Sequence, residues 1–133
     1  MNRSKRAGLN ERQRGVVEQA VRLLDEVQYL KFNDSTSSRG RARETHVDGR
    51  VIAYEPDAPD WMSGMTDHAR QGFTLGPKAY SSEEELKKTL LQELYRLEFS
   101  ESQTGTTQVM AQSETHDAFT FAEQHYRTAF GPD

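Results

Sequence analysis

The stretch Thr89–Leu97, TLLQELYRL, places several reactive side chains on one side of a helix. At about 100° per residue, Leu86, Leu90, Leu94 and Leu97 form a single stripe. Glu93 falls roughly 60° from the middle of that stripe. Thr89 and Arg96 share its flank, and Gln92 lies one step further out. A carboxylate at the edge of a buried face, held ionised by a guanidinium, could act as a base or orient a neighbouring group. The same spacing also describes an ordinary i, i+3 ion pair that contributes a few tenths of a kcal/mol. Gln92-Glu93-Leu94-Tyr95-Arg96 has the register of the zinc-peptidase motif HExxH. Both metal-ligating histidines are missing from it, and neither Gln nor Arg replaces imidazole on zinc. No metal site and no cofactor is expected.

A second set of reactive residues surrounds His46. Arg39, Arg41, Arg43 and Arg50 make this the one dense basic segment of the chain. Arginines can grip phosphates, and an adjacent imidazole can move protons to and from RNA oxygens during cleavage. The set therefore offers His46 as acid or base, with Arg41, Arg43, Thr45 and Arg50 for substrate binding. The plainer reading is a solvated hairpin whose charged edge keeps it soluble. His116, flanked by Glu114 and Asp117 at the start of a later helix, either caps that helix or faces a cleft. Thr106 and Thr107 are hydroxyls available to a phosphate. His125 sits among Ala118, Ala122 and Ala129 and reads as structural. His68 falls in a loop. The histidine spacings do not suit a metal.

The elements that must position these groups are legible from periodicity. Asn10, with Gln13 three residues on, forms a capping box for a helix over residues 11–28. Val17, Ala20, Val21, Leu24 and Val27 are its expected apolar face. Residues 29–32 suggest a short strand, and 33–40 a loop rich in Asn, Asp, Ser, Thr and Gly. Asp48-Gly49 marks a hairpin turn between a weakly alternating segment, 41–47, and the strongest strand in the chain, 50–55. Residues 56–72 read as a long loop tucked down by Trp61, Met62 and Met65. Residues 73–75 read as a last short strand. Ser81 or Ser82 caps a second helix that runs to about Phe99, with Glu84 and Glu85 complementing its N-terminal dipole. Ser113 is the expected cap of a third, whose apolar face would be Ala118, Phe119, Ala122, Tyr126, Ala129 and Phe130. The predicted class is α+β: an N-terminal helix, a small antiparallel sheet and two C-terminal helices. Residues 1–8 are expected to be a flexible lead, and 9–133 one domain.

Composition narrows the function. The 133 residues are 34% hydrophobic and 29% charged, with net charge −4 and no cysteine. Disulfide scaffolds and cysteine-ligated zinc are excluded. The acidic balance gives no bulk attraction for nucleic acid, so any RNA contact must come from a local basic patch. No apolar run approaches membrane-spanning length, and the N-terminus lacks the apolar core of a signal peptide.

The run PKAYSSEEELKKTLLQELYRLEFS, followed after a polar connector by SETHDAFTFAEQHY, resembles the C-terminal toxin domains of bacterial polymorphic toxin and contact-dependent inhibition systems. In many of these a short sheet precedes a helix of the form T-L-x-H-E-x-x-R/H. A later helix then begins with E-T or E-A and continues A-x-x-F-A. The similarity covers roughly residues 48–130. It implies an effector carried on a larger exported protein, active in the cytoplasm of a target bacterium and neutralised by a cognate immunity protein. Many such domains resemble small ribonucleases of the barnase, EndoU, colicin and RelE-like group. The expected activity is therefore metal-independent cleavage of cellular RNA. The expected catalytic set is His46, Gln92, Glu93, Arg96 and His116, and the substrate-binding set Arg41, Arg43, Thr45, Arg50 and Thr107. The family pattern has His where this chain has Gln92, and an amide cannot titrate in its place. The alternatives are an NAD-consuming, ADP-ribosyltransferase-like toxin and a non-catalytic interaction domain.

Overall fold

The computed structural model describes residues 9–31, 43–99 and 108–130. The expected flexible lead, the loop at 33–40, Arg39, Arg41, Thr106 and Thr107 lie outside them. Helix α1 spans Glu11–Leu30 and is followed by strands β1 (Arg43–Val47), β2 (Arg50–Tyr54), β3 (Gly64–Asp67) and β4 (Gly72–Leu75). Helices α2 (Glu83–Phe99) and α3 (Gln108–Phe130) complete the chain. The α+β class and the order of its helices agree with the sequence reading.

The capping box forms as expected. Asn10 Oδ1 accepts from the Gln13 amide at 2.8 Å, and the Asn10 amide donates to Gln13 Oε1 at 3.0 Å. The helix then continues to Leu30, through the residues expected to begin a strand. Its buried residues are Val16, Val17, Ala20, Leu23, Val27 and Leu30. Val21, expected in the core, is exposed, and Leu24 is only half-buried. The buried face is centred near Val16, Ala20 and Val27, which leaves Val21 roughly 120° away.

The sheet has the order β1-β2-β4-β3. β1 pairs antiparallel with β2, and β3 antiparallel with β4. The central β2–β4 pairing is parallel, so the sheet is mixed rather than antiparallel throughout. In the β1–β2 hairpin both turn residues have positive φ, 53° at Asp48 and 78° at Gly49, as a type I′ turn requires. Arg22 of α1 pairs with Asp48 at 2.9 Å and docks the turn. β3 falls within the segment expected to be loop. Trp61 and Met65, expected to tuck that loop down, are 76% and 60% exposed.

α1 and α2 pack on one face of the sheet, and α3 packs against these two helices. Ile52, Phe73 and Leu75 point into the same core as Leu86, Leu90, Leu91 and Leu94 of α2. Each such leucine contributes about 1.5–3 kcal/mol by leaving water. Ser82 caps α2, its hydroxyl accepting from the Glu85 amide at 3.0 Å. α3 begins at Gln108, ahead of the expected cap at Ser113, and packs on α2. Its buried residues are Ala118, Phe121, Ala122, Tyr126 and Ala129, while Phe119 is exposed. Tyr95 stacks between Phe99 and Phe121, with ring centroids 4.4 and 4.8 Å apart. Lys88 bridges Glu84 and Glu123 at 3.2 and 3.0 Å, tying the two helices at their rim.

Candidate functional site

Two polar clusters result, on opposite sides of the sheet. The first lies between α2 and β3. β-strand alternation turns Gly64 and Thr66 towards the helices, because Thr66 stands opposite the core residue Phe73. Thr66 Oγ1 donates to Glu93 Oε1 at 2.7 Å. Glu93 is 2% exposed, Thr66 6% and Thr89 1%. Arg96 Nη1 stands 3.8 Å from Glu93 Oε2, beyond charge-assisted hydrogen-bond range. Burial raises the Glu93 pKa, against the opposing effects of the Thr66 hydrogen bond and the Arg96 charge. The group expected to be a half-exposed carboxylate held ionised by Arg96 is instead fully buried, and its surroundings favour the neutral acid. It does not reach solvent where a substrate could meet it. The Thr89 hydroxyl beside it is buried and has no hydrogen-bond partner among the described residues.

The second cluster lies on the sheet face away from the helices. Glu44 and His46 of β1 are two residues apart, so both project to that face. His46 Nε2 is 3.6 Å from Glu44 Oε1. The other Glu44 oxygen accepts from Arg70 Nη2 at 3.2 Å. Arg70 lies in the short 3-10 turn His68–Arg70 that joins β3 to β4. Asp67 Oδ1 caps this turn by accepting from the Arg70 amide at 3.3 Å. Gln71 leaves the turn with φ 52°, in the left-handed region. The guanidinium thus reaches across β2 to β1. The Glu44 side chain is 15% exposed, that of Arg70 34% and that of His46 69%. A carboxylate, an imidazole and a guanidinium therefore converge, with the imidazole exposed and the carboxylate largely covered.

The structure does not bring His46 together with Glu93 and Arg96. They lie on opposite faces, and β1 and β3 are opposite edges, about 14 Å apart at normal strand spacing. Thr45 and Arg50 turn towards the helices. Arg50 donates to Gln19 Oε1 at 2.6 and 3.1 Å and to the Gln71 carbonyl at 2.9 Å, so its donors serve the fold. Arg43 is half-buried and alternates with Thr45 on that same side. Gln92 is half-buried on α2, and His116 is exposed on α3, both remote from the open sheet face. His125 packs on Phe121 with ring centroids 4.8 Å apart, and burial lowers its pKa, in line with a structural role.

Glu44 and Arg70 were absent from the sequence-derived set. Glu44 was findable, since a residue two positions from His46 on a strand shares its face. Arg70 was not, because only the strand order brings it there. Among the described residues no group of three or more His, Asp or Glu is placed to hold a metal. Among them, too, no helix is long and apolar enough to cross a membrane. Comparisons with protein-family models, with curated proteins and with solved structures each return no match for this chain.

Proposed function

We propose that this domain is a bacterial effector toxin that cleaves RNA without a metal, and that its site is the Glu44–His46–Arg70 cluster. The observation that carries the reading is the Glu44 carboxylate held between the exposed His46 imidazole and the half-buried Arg70 guanidinium. Internal cleavage of RNA needs three functions. A base takes the proton of a 2′-hydroxyl as that oxygen attacks the adjacent phosphorus. An acid protonates the departing 5′-oxygen. A cation stabilises the charge that builds on the phosphoryl oxygens. Glu44 fits the first role, protonated His46 the second and Arg70 the third. The products would be a 2′,3′-cyclic phosphate and a free 5′-hydroxyl.

The resemblance of residues 48–130 to toxin domains does not include Glu44 or His46, and it supplies the setting of the reading rather than its site. The domain would be carried on a larger secreted effector, act in the cytoplasm of a target cell and be held in check by an immunity protein. In this reading Gln92, lying on the helical side of the sheet, is no obstacle to activity. The test is purified protein on cellular RNA, with the fragment ends determined. Cyclic-phosphate ends that disappear in Glu44→Gln and His46→Ala would support it. Intact RNA with the unaltered protein, in the absence of any inhibitor, would refute it. Loss of NAD in place of RNA would point to the other toxin class.

A further inference from the structure

Arg50, expected from the sequence to bind substrate, uses all three guanidinium nitrogens within the fold. Its Nε and Nη2 donate to Gln19 Oε1 of α1, at 3.1 and 2.6 Å, and its Nη1 donates to the Gln71 carbonyl at 2.9 Å. One planar group thus ties the first helix to the residue that follows Arg70. Gln71 has φ 52° and ψ 35°, a left-handed conformation that a residue with a side chain keeps only where its neighbours hold it. The turn contributes two bonds of its own, from the Gln71 amide at 3.2 Å and from Gln71 Nε2 at 3.0 Å, both to the His68 carbonyl. The Arg50 bond reaches the same residue from the helical side of the sheet. On the other face Arg70 Nη2 donates to Glu44 at 3.2 Å. A linked series therefore runs from Gln19 through Arg50, Gln71 and Arg70 to Glu44.

We propose that Arg50 is a positioning residue for the site: through the Gln71 carbonyl it holds the turn in the conformation from which the Arg70 guanidinium meets Glu44. This rests on the ribonuclease reading above and adds the residue that sets Arg70 in place. In that reading Arg70 stabilises charge that builds on the phosphoryl oxygens as the bond breaks. Its placement therefore acts on the chemical step more than on substrate capture. A displacement of only about 1 Å is enough to slow such a step. Arg50 itself touches no substrate, because Gln19 and Gln71 occupy its nitrogens. Arg22 offers an internal comparison. It pairs with Asp48 at 2.9 Å and docks the same hairpin on the same helix, but at the Asp48-Gly49 turn rather than at Gln71.

The experiment measures kcat and KM on an RNA oligonucleotide for Arg50→Ala, Arg50→Lys, Arg70→Ala, the double variant of Arg50→Ala with Arg70→Ala, and Arg22→Ala. Lysine keeps the charge but loses the planar fork, and it keeps the test readable where alanine there unfolds the protein. In parallel, the heteronuclear NOE of the Arg70 Nε–H group reports the order of that side chain without any need for cleavage. In both Arg50 variants kcat should fall at least about tenfold with KM within about twofold, and Arg70 should become mobile. The double variant should be within about twofold of Arg70→Ala, because the two residues act as a unit. Arg22→Ala should keep the parental kcat and an ordered Arg70. An Arg70 that stays ordered, a kcat that stays parental, or losses that multiply in the double variant would overturn the positioning role and leave the ribonuclease reading standing. The same loss in Arg22→Ala would overturn it too, by reducing Arg50 to hairpin docking. Arg70 loosened by Arg50→Lys but not by Arg22→Ala, in a protein that leaves RNA intact, would support the positioning role and refute the ribonuclease reading.

Discussion

Thr66 and Glu93 are joined by a 2.7 Å hydrogen bond that fastens the edge strand β3 to the middle of α2. Both residues are buried, so loss of either partner leaves a polar group in apolar surroundings. Thr66→Val removes the donor and keeps the shape. It should lower stability by about 1–3 kcal/mol in chemical denaturation. An unchanged denaturation midpoint would show that this bond does not hold the strand.

Burial raises the Glu93 pKa, so the native state binds this proton more tightly than the unfolded chain does. The associated stability is fully present below the ordinary glutamate value of 4.5 and declines as pH rises through the raised value. Glu93→Gln keeps an acceptor for Thr66 and carries no charge. It should flatten this decline and leave the protein at least as stable as the parent at neutral pH. Denaturation curves across the pH range, compared between the two proteins, provide the check.

Two glycines differ in what a methyl group would meet. At Gly64 an added Cβ stands 3.2 Å from both the Glu93 carboxylate and Thr89 Cγ2, close but not overlapping. At Gly72 it would overlap the Val51 carbonyl in the neighbouring strand. Gly72→Ala should therefore cost more than Gly64→Ala, towards the upper part of the ~1–3 kcal/mol range for overpacking. Thermal melts showing the reverse order would contradict the described close approach of β2 and β4.

On the proposed reaction, His46→Ala should reduce RNA cleavage by roughly 10²–10⁴-fold, the usual range for loss of a general acid or base. Arg70→Ala should lower kcat, because the phosphoryl charge it faces builds as the bond breaks. Gln92→His and His116→Ala should leave the rate near that of the parent. A large gain from Gln92→His would move the chemistry to α2 and against the cluster assigned here.

The helices were legible because leucine spacing carries its own phase, and the Asp48-Gly49 turn because its residue types tolerate positive φ. The buried flank of α2 was legible too, down to Glu93 as its polar member. What the spacing of Leu86, Leu90 and Leu94 could not reveal was the strand packed over Glu93. The sequence GMTD has little strand character and follows a loop with two prolines. Without β3, Glu93 reads as a rim residue, and with it the carboxyl lies in the core. The pairing of Glu44 with Arg70 was hidden for a related reason. It depends on β4 lying between β2 and β3, an order that local patterning does not encode.

That strand order also governs when the domain can assemble as it is made. A nascent chain ending at Gln71 would hold the β1–β2 hairpin and β3, yet these are not neighbours in the finished sheet. The strand that separates them emerges next, and the helix that covers β3 later still. Partial chains therefore leave β2 with an open backbone edge until β4 arrives from the ribosome. The sheet, and with it the Glu44–Arg70 contact across β2, cannot close before β4 has been made.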